Sequence, residues 1–318
     1  DKSRLLKPAP RMKFLGHPSN KKCRFCGKDE HEVSFKKIAH VFPESIGNST
    51  LASNYECDDC NQYFGSTIEN EYANFFSLYH SIMQISGKNG KPKCGFKVPC
   101  SMRTTECANH CIEISFADST PYIMRCENIG TKYVNISQNS ITISKPLGAC
   151  CPIAVFKAIV KMALTVMPVE ELLLFDKTIK WLRVSEHTNF YSDKRLLVRY
   201  KMIPGFNVTK YPHYVLFRRK KTVWNMPYML FNLTYGCFSL FVEIPRDSNN
   251  SDITNFINMP FPPIPFYSST TGIWDMSDNK FPQGSKQSIT LTASGIKECT
   301  DNVTITVENG KRKLKRFQ

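Results

Sequence analysis

The chain has 318 residues, 42% of them hydrophobic and 12% aromatic, which excludes a disordered polymer and leaves room for one large domain or two ordinary ones. A formal charge of +15 and a pI near 9.2 point to a polyanionic partner, with nucleic acid first among them. The sequence contains no run of about 18 apolar residues and no basic amphipathic helix, so neither a membrane span nor a membrane-surface helix is expected.

Residues 1–20 are basic and carry Pro8 and Pro10; they read as an arm, either solvated or lying along nucleic-acid phosphates. The opening residues hold no apolar segment of the kind a secretory leader uses, so a cytoplasmic protein is expected. Of the thirteen cysteines, those not assigned to a metal are then most simply reduced thiols.

Residues 21–86 read as a metal module. Cys23 and Cys26 form one Cys-x-x-Cys pair, and Cys57 and Cys60 form a second. Each short turn presents two sulfurs to one ion, which is the usual construction of a closed tetrahedral zinc site. Between the pairs, residues 35–38 suggest a short strand leading to His40, Pro43 breaks it, and Gly47-Asn48 marks a turn. After Cys60 the apolar residues Phe64, Ile68, Tyr72, Phe75 and Phe76 recur at helical spacing. The expectation is two strands, a turn and a helix around zinc, with the metal supplying on the order of 10 kcal/mol of folding free energy.

Residues 87–92 (Gly-Lys-Asn-Gly-Lys-Pro) are turn-rich and read as a linker. Beyond it, residues 93–310 predict a sheet-rich α+β domain, with strands at 112–116, 133–136, 141–143, 196–200, 214–218, 229–233, 238–244 and 303–307. A central helical pair interrupts them. Pro152 stands at the first turn of one helix, with a stripe of Val155, Ile159, Met162, Ala163 and Val166, and Pro168 separates it from a second helix over 170–181. Residues 311–318 (Lys-Arg-Lys-Leu-Lys-Arg-Phe-Gln) read as a basic tail. Cys94, Cys100, Cys107 and Cys111, with His110 as a spare ligand, read as a cysteine-rich hairpin or as a second zinc site, with irregular spacings and no pair at the two-residue gap. Arg218, Arg219, Lys220, Lys221 and Trp224 combine four cations with an aromatic ring, as a phosphate-and-base contact or as a solvated hairpin turn.

The motif Ala39-His40-Val41-Phe42-Pro43-Glu44, followed by Gly47-Asn48, Asn54 and Cys57-x-x-Cys60-Asn61, resembles the HNH endonuclease family, the ββα-metal nucleases, in its four-cysteine subgroup. The resemblance covers about 45 residues. It implies a metal-dependent endonuclease acting on DNA, or on RNA, with His40 as general base and Asn61 as a ligand of a catalytic Mg²⁺ or Mn²⁺ distinct from the structural zinc. Asn54 or Asn48 would orient the histidine. Many members carry an acidic metal ligand just before the histidine, where this chain has Ala39. Glu44 or Glu69 is then the nearby carboxylate to take its place, or catalysis is lost and a zinc-dependent nucleic-acid-binding protein remains. A third reading is a nuclease gated by a ligand that the C-terminal domain senses. Such modules occur in restriction and anti-phage defence, and cutting both strands with a single-site module implies a homodimer.

Overall fold

Three short strands, β1 (Lys13–Leu15), β2 (Ala39–His40) and β3 (Leu51–Ser53), open the described chain and pair in the order β1-β3-β2. The structure, a computed structural model, describes residues 12–83, 85, 87, 111–115, 122–125, 134–137, 140–189, 191, 194–202, 209–220, 222–223, 226–246, 253–261, 269–292, 303–308 and 311–316. Part of the expected N-terminal arm is therefore a strand, parallel to β3 with Lys13 opposite Leu51. β2 is shorter than the sequence suggests. The carboxylate of Asp58 accepts the backbone N–H groups of Lys36 and Lys37 at 3.1 and 2.8 Å, which ties this segment to a helix start instead of a sheet. After Pro43 a single 3-10 turn, Glu44–Ile46, ends at Gly47 with φ +87°, a left-handed conformation that glycine adopts without a Cβ clash.

Helix α1 (Asp58–Ser66) starts at Cys57, and α2 (Ile68–Ile82) follows after a break at Thr67. The single helix expected here is interrupted because Ser66 and Thr67 turn their hydroxyls back onto the carbonyls of Gln62 and Tyr63, competing with the backbone ladder. The predicted stripe of Phe64, Ile68, Tyr72, Phe75 and Phe76 is buried throughout.

Helix α3 (Pro152–Val166) is covered on all sides, Lys157 and Lys161 included. Its apolar stripe is thus only part of its buried surface. The next expected helix is broken into Val169–Leu172, a 3-10 turn Leu173–Phe175, and Asp176–Leu182.

Five antiparallel strands form the main sheet, in the order Thr270–Asp275, Leu197–Met202, Phe238–Glu243, Met229–Gly236, Thr209–Arg218. The period-two alternation of its central strands sorts side chains to two faces. Phe231, Leu233, Tyr235, Phe238, Leu240 and Val242 join the main core, whereas Leu197, Leu230 and Phe241 form a smaller cluster with Phe256 of the helix Ile253–Asn258. Phe75 and Phe76 of α2 meet Trp274 edge-on at 5.1 and 5.6 Å, and Phe76 meets Phe238 at 5.3 Å. One apolar core therefore runs from Cys23 to Ile289, and the metal module shares it.

Two smaller sheets complete the α+β architecture. Val134–Ser137, Ser140–Pro146 and Lys286–Thr292 form one, and Cys111–Ser115, Tyr122–Arg125, Val303–Glu308 and Lys311–Arg316 form the other. Each of the eight strands expected beyond the linker overlaps an observed one. The segment read as a basic tail is corrected: Lys311–Arg316 pairs antiparallel with Val303–Glu308. The dipeptide Asn309-Gly310 between them is a hairpin signal that the run of charges obscures.

Candidate metal centre and active site

The Sγ atoms of Cys23, Cys26, Cys57 and Cys60 all lie within 4.8 Å of one another, and those of Cys26 and Cys57 are 3.8 Å apart. A tetrahedron of metal–sulfur bonds of about 2.3 Å has edges of about 3.8 Å, so this donor set fits a cation such as zinc. Cys23, Cys57 and Cys60 are buried and Cys26 is half-buried. A hydrogen bond between Cys60 and Cys23 holds the Cys23 thiol down at about 5 and pushes Cys60 up, while burial raises Cys57 to about 11. Four crowded sulfurs share their protons unequally in this way, and a divalent cation takes the place of those protons.

Both ends of the cluster are anchored to α3. Arg24, inside the first Cys-x-x-Cys, donates from Nη1 to the carbonyls of Leu164, Thr165 and Met167 at 2.9, 3.0 and 2.6 Å, satisfying the C-terminal end of the helix. Its guanidinium also lies 3.6 Å over the Tyr55 ring. From the side of α3, Lys161 reaches Glu56 and Glu69 with its ammonium 5.7 Å from the Phe64 ring centroid. Burial pushes the Glu56 carboxyl up to about 7 against the attraction of Lys161, because two carboxylates share one ammonium. Sequence reasoning missed Arg24, Glu56 and Lys161. Only the position of Arg24 between two cysteines offered a local signal.

His40 ends β2, opposite Ala52, with its side chain 20% exposed. Its Nε2 lies 3.8 Å from Oε1 of Glu44, which the 3-10 turn carries back over the strand end, and its Nδ1 is buried without a hydrogen-bond partner among the described residues. Ala39 faces the interior opposite Ser53 and is 1% exposed. Asn48 is buried and donates to the carbonyls of Phe42 and Leu51, both at 2.8 Å, while its Oδ1 accepts from the backbone of Thr50 and Leu51. It clamps the connection between β2 and β3. Asn54 instead donates to the Gly16 carbonyl at 3.1 Å and so holds the residue after β1. Asn61 is half-buried in the first turn of α1, its backbone bonded to Cys57. Glu69 is committed to Lys161, which leaves Glu44 as the carboxylate beside His40.

Of the basic cluster, Arg218 pairs with Glu171 at 2.6 Å, Arg219 donates to the Met226 carbonyl at 2.9 Å, and Lys220 is exposed. Lys221 and Trp224 lie outside the described residues, as do the 88–92 part of the linker and the side chains of Cys94, Cys100, Cys107, His110 and Cys111. Among the described residues, Cys23, Cys26, Cys57 and Cys60 are the group of His, Cys, Asp and Glu side chains placed to hold a metal ion. No helix among the described residues is long and apolar enough to cross a membrane.

A hairpin with a partly exposed histidine is followed by a helix and stapled by four cysteines, a ββα arrangement around a metal site. Comparison with family models agrees: residues 23–77 match the model described as HNH endonuclease, and this segment of the chain is an HNH module. No curated protein and no solved structure matches the chain.

Proposed function

We propose that this chain is a metal-dependent endonuclease that hydrolyses DNA phosphodiester bonds with His40 as the general base. The observation that carries this reading is the partly exposed His40 ring at the end of β2 with the Glu44 carboxylate 3.8 Å from its Nε2. Hydrolysis requires a water to lose a proton as it attacks phosphorus, and an imidazole at the surface of the hairpin is placed to accept it. Asn48 holds the turn that carries Glu44, so it positions the pair without touching either ring nitrogen.

The cysteine cluster holds zinc in this reading and shapes the hairpin-helix junction. Asn61 and Glu44 offer hard oxygen donors and would hold Mg²⁺ or Mn²⁺, which when bound neutralises charge on the scissile phosphate as a Lewis acid. Residues 21–86 carry the chemistry, and residues 93–310 serve recognition of the nucleic acid or regulation. Restriction or anti-phage defence is the setting that the family resemblance implies. Ala39 supports a second reading, a zinc-dependent nucleic-acid-binding protein without catalysis, since its buried methyl group offers no ligand.

Plasmid nicking by the full chain, with Mg²⁺, Mn²⁺ or Ni²⁺ added, separates the two. Cleavage by the wild type, its loss in His40→Ala, and a deficit in Glu44→Gln and Asn61→Ala support the enzyme. Cleavage only with an added nucleotide or protein marks a gated form. Equal cleavage by wild type and His40→Ala removes His40 from the mechanism, and binding without cleavage under all conditions favours the second reading.

A further inference from the structure

The face of the main sheet that carries Leu197, Leu230 and Phe241 is not fully covered by the helix Ile253–Asn258. Arg199 fixes that helix and the residues after it, donating to the carbonyls of Phe256 and Met259 at 2.7 and 2.6 Å, with its guanidinium 4.5 Å from the Phe261 ring centroid. Beside this anchored segment opens a cavity of about 520 Å³. Phe217, Phe241 and Phe261 contribute its aromatic wall: Phe217 meets Phe241 edge-on at 6.0 Å, and Phe261 lies 6.1 Å from Phe241. Phe217 is 39% exposed, whereas Phe241 behind it is buried.

Cations stand at the rim. Lys220 is exposed, and Arg219 is held in place by its bond to the Met226 carbonyl and lies 5.8 Å from the centroid of the Tyr228 ring. Arg218 also lines the cavity, but Glu171 offsets its charge. An exposed aromatic side chain beside cations suits a flat body bearing an anionic group. A cavity of this size falls in the range of about 300–1,000 Å³ that small-molecule sites occupy.

We propose that this cavity binds a single nucleotide unit, with its base against the exposed Phe217 ring and its phosphate at Arg219 and Lys220. The unit comes either from a free mononucleotide or from an unstacked position in a nucleic-acid strand. This inference goes beyond the nuclease reading and does not depend on it, because binding is measured without cleavage.

Calorimetric titration of the full chain, with no added divalent cation, tests the proposal with three probes: deoxynucleoside monophosphates, the matching deoxynucleosides, and a short single-stranded oligonucleotide. The monophosphates or the oligonucleotide should bind, and Phe217→Ala or Lys220→Glu should weaken that binding roughly tenfold. Both substitutions sit at exposed positions, and Lys180→Glu makes the same charge change elsewhere on the surface. Binding of free monophosphates supports the proposal with a diffusible ligand; binding of the strand alone, with the same variant sensitivity, supports it with the nucleic acid as source. Lack of binding, insensitivity to both variants, an equal effect of Lys180→Glu, or equal affinity for nucleoside and nucleotide would each overturn it. So would a fatty acid such as laurate binding where no nucleotide does.

Discussion

Lys161 of α3 places its Nζ 2.8 Å from Oε2 of Glu56, the residue immediately before Cys57, and 2.9 Å from Oε1 of Glu69 on α2. Neither Lys161 nor Glu56 reaches solvent. Removing one member of a buried pair leaves an uncompensated charge, at a cost of about 3–5 kcal/mol, whereas replacing both with neutral groups of similar size costs much less. Lys161→Met should therefore lower the denaturation midpoint strongly, and Lys161→Met combined with Glu56→Gln should recover the part of the loss that Glu56 carries, Glu69 still lacking its ammonium. Equal destabilisation in the single and double variants would argue against the pairing. Metal content measured on the same samples reports whether the damage spreads to Cys57.

The cysteine cluster makes a second prediction. Metal analysis of the purified chain should find one zinc per molecule, and Cys57→Ala should lose it. The Arg24 contacts join the cluster to the end of α3, and the core is continuous across the module. Chelation should therefore lower the melting temperature of the whole chain as well as loosening residues around 21–86, an effect that circular dichroism and hydrogen exchange resolve. Unchanged global melting after complete metal loss would show that the module and sheet unfold independently.

These two relationships explain what could be read from the sequence. The two Cys-x-x-Cys pairs and the Phe64-to-Phe76 stripe are local patterns, carried by ligand spacing and helical period, and both reappear in the folded chain. Lys161 is invisible to such patterns, since its partners lie about a hundred residues away and a lysine inside a helix ordinarily reads as solvated. β1 has only three residues, and its strand character comes from pairing with Leu51–Ser53 and not from its own composition. Within the candidate site, the motif placed His40 and Glu44 on one hairpin. It left the roles of Asn48 and Asn54 open, because Asn54 meets the Gly16 carbonyl only once β1 joins the sheet, and Asn48 turns to the Phe42 and Leu51 carbonyls of the connection it closes.

Those two asparagines should separate in mutagenesis. Asn48→Ala removes donors from the carbonyls of Phe42 and Leu51 and leaves polar groups without partners, costing about 1–3 kcal/mol. It also slackens the turn that brings Glu44 to His40, so in the proposed enzyme it should lower the cleavage rate more than DNA affinity. Asn54→Ala loses its bond to Gly16 and should reduce stability with little change in cleavage rate at temperatures where the chain is folded. Paired denaturation and single-turnover measurements check both; a larger rate defect in Asn54→Ala would reverse the assignment.

His80 gives the chain an acid-sensitive point away from the cysteine cluster. It is buried in α2, stacked on Phe76 at 5.9 Å, with Nε2 3.2 Å from the Tyr235 hydroxyl, which also accepts from Tyr72. Burial, with Lys145 adding to it, depresses its pKa to about 3. An unfolded histidine titrates near 6.5. Below that pH the unfolded chain binds a proton that the native chain refuses, so the stability contributed by neutral His80 is complete above about pH 6.5 and falls by about 1.4 kcal/mol per pH unit as the pH drops toward 3. His80→Gln removes this linkage. It should be less stable than wild type at pH 7.5, and the gap should narrow by about 2 kcal/mol at pH 5, measured by urea denaturation with zinc in excess. Comparing the two chains at each pH cancels the cysteines' own proton dependence, and a gap of constant size would mean that His80 protonates in the native state as readily as in the unfolded one.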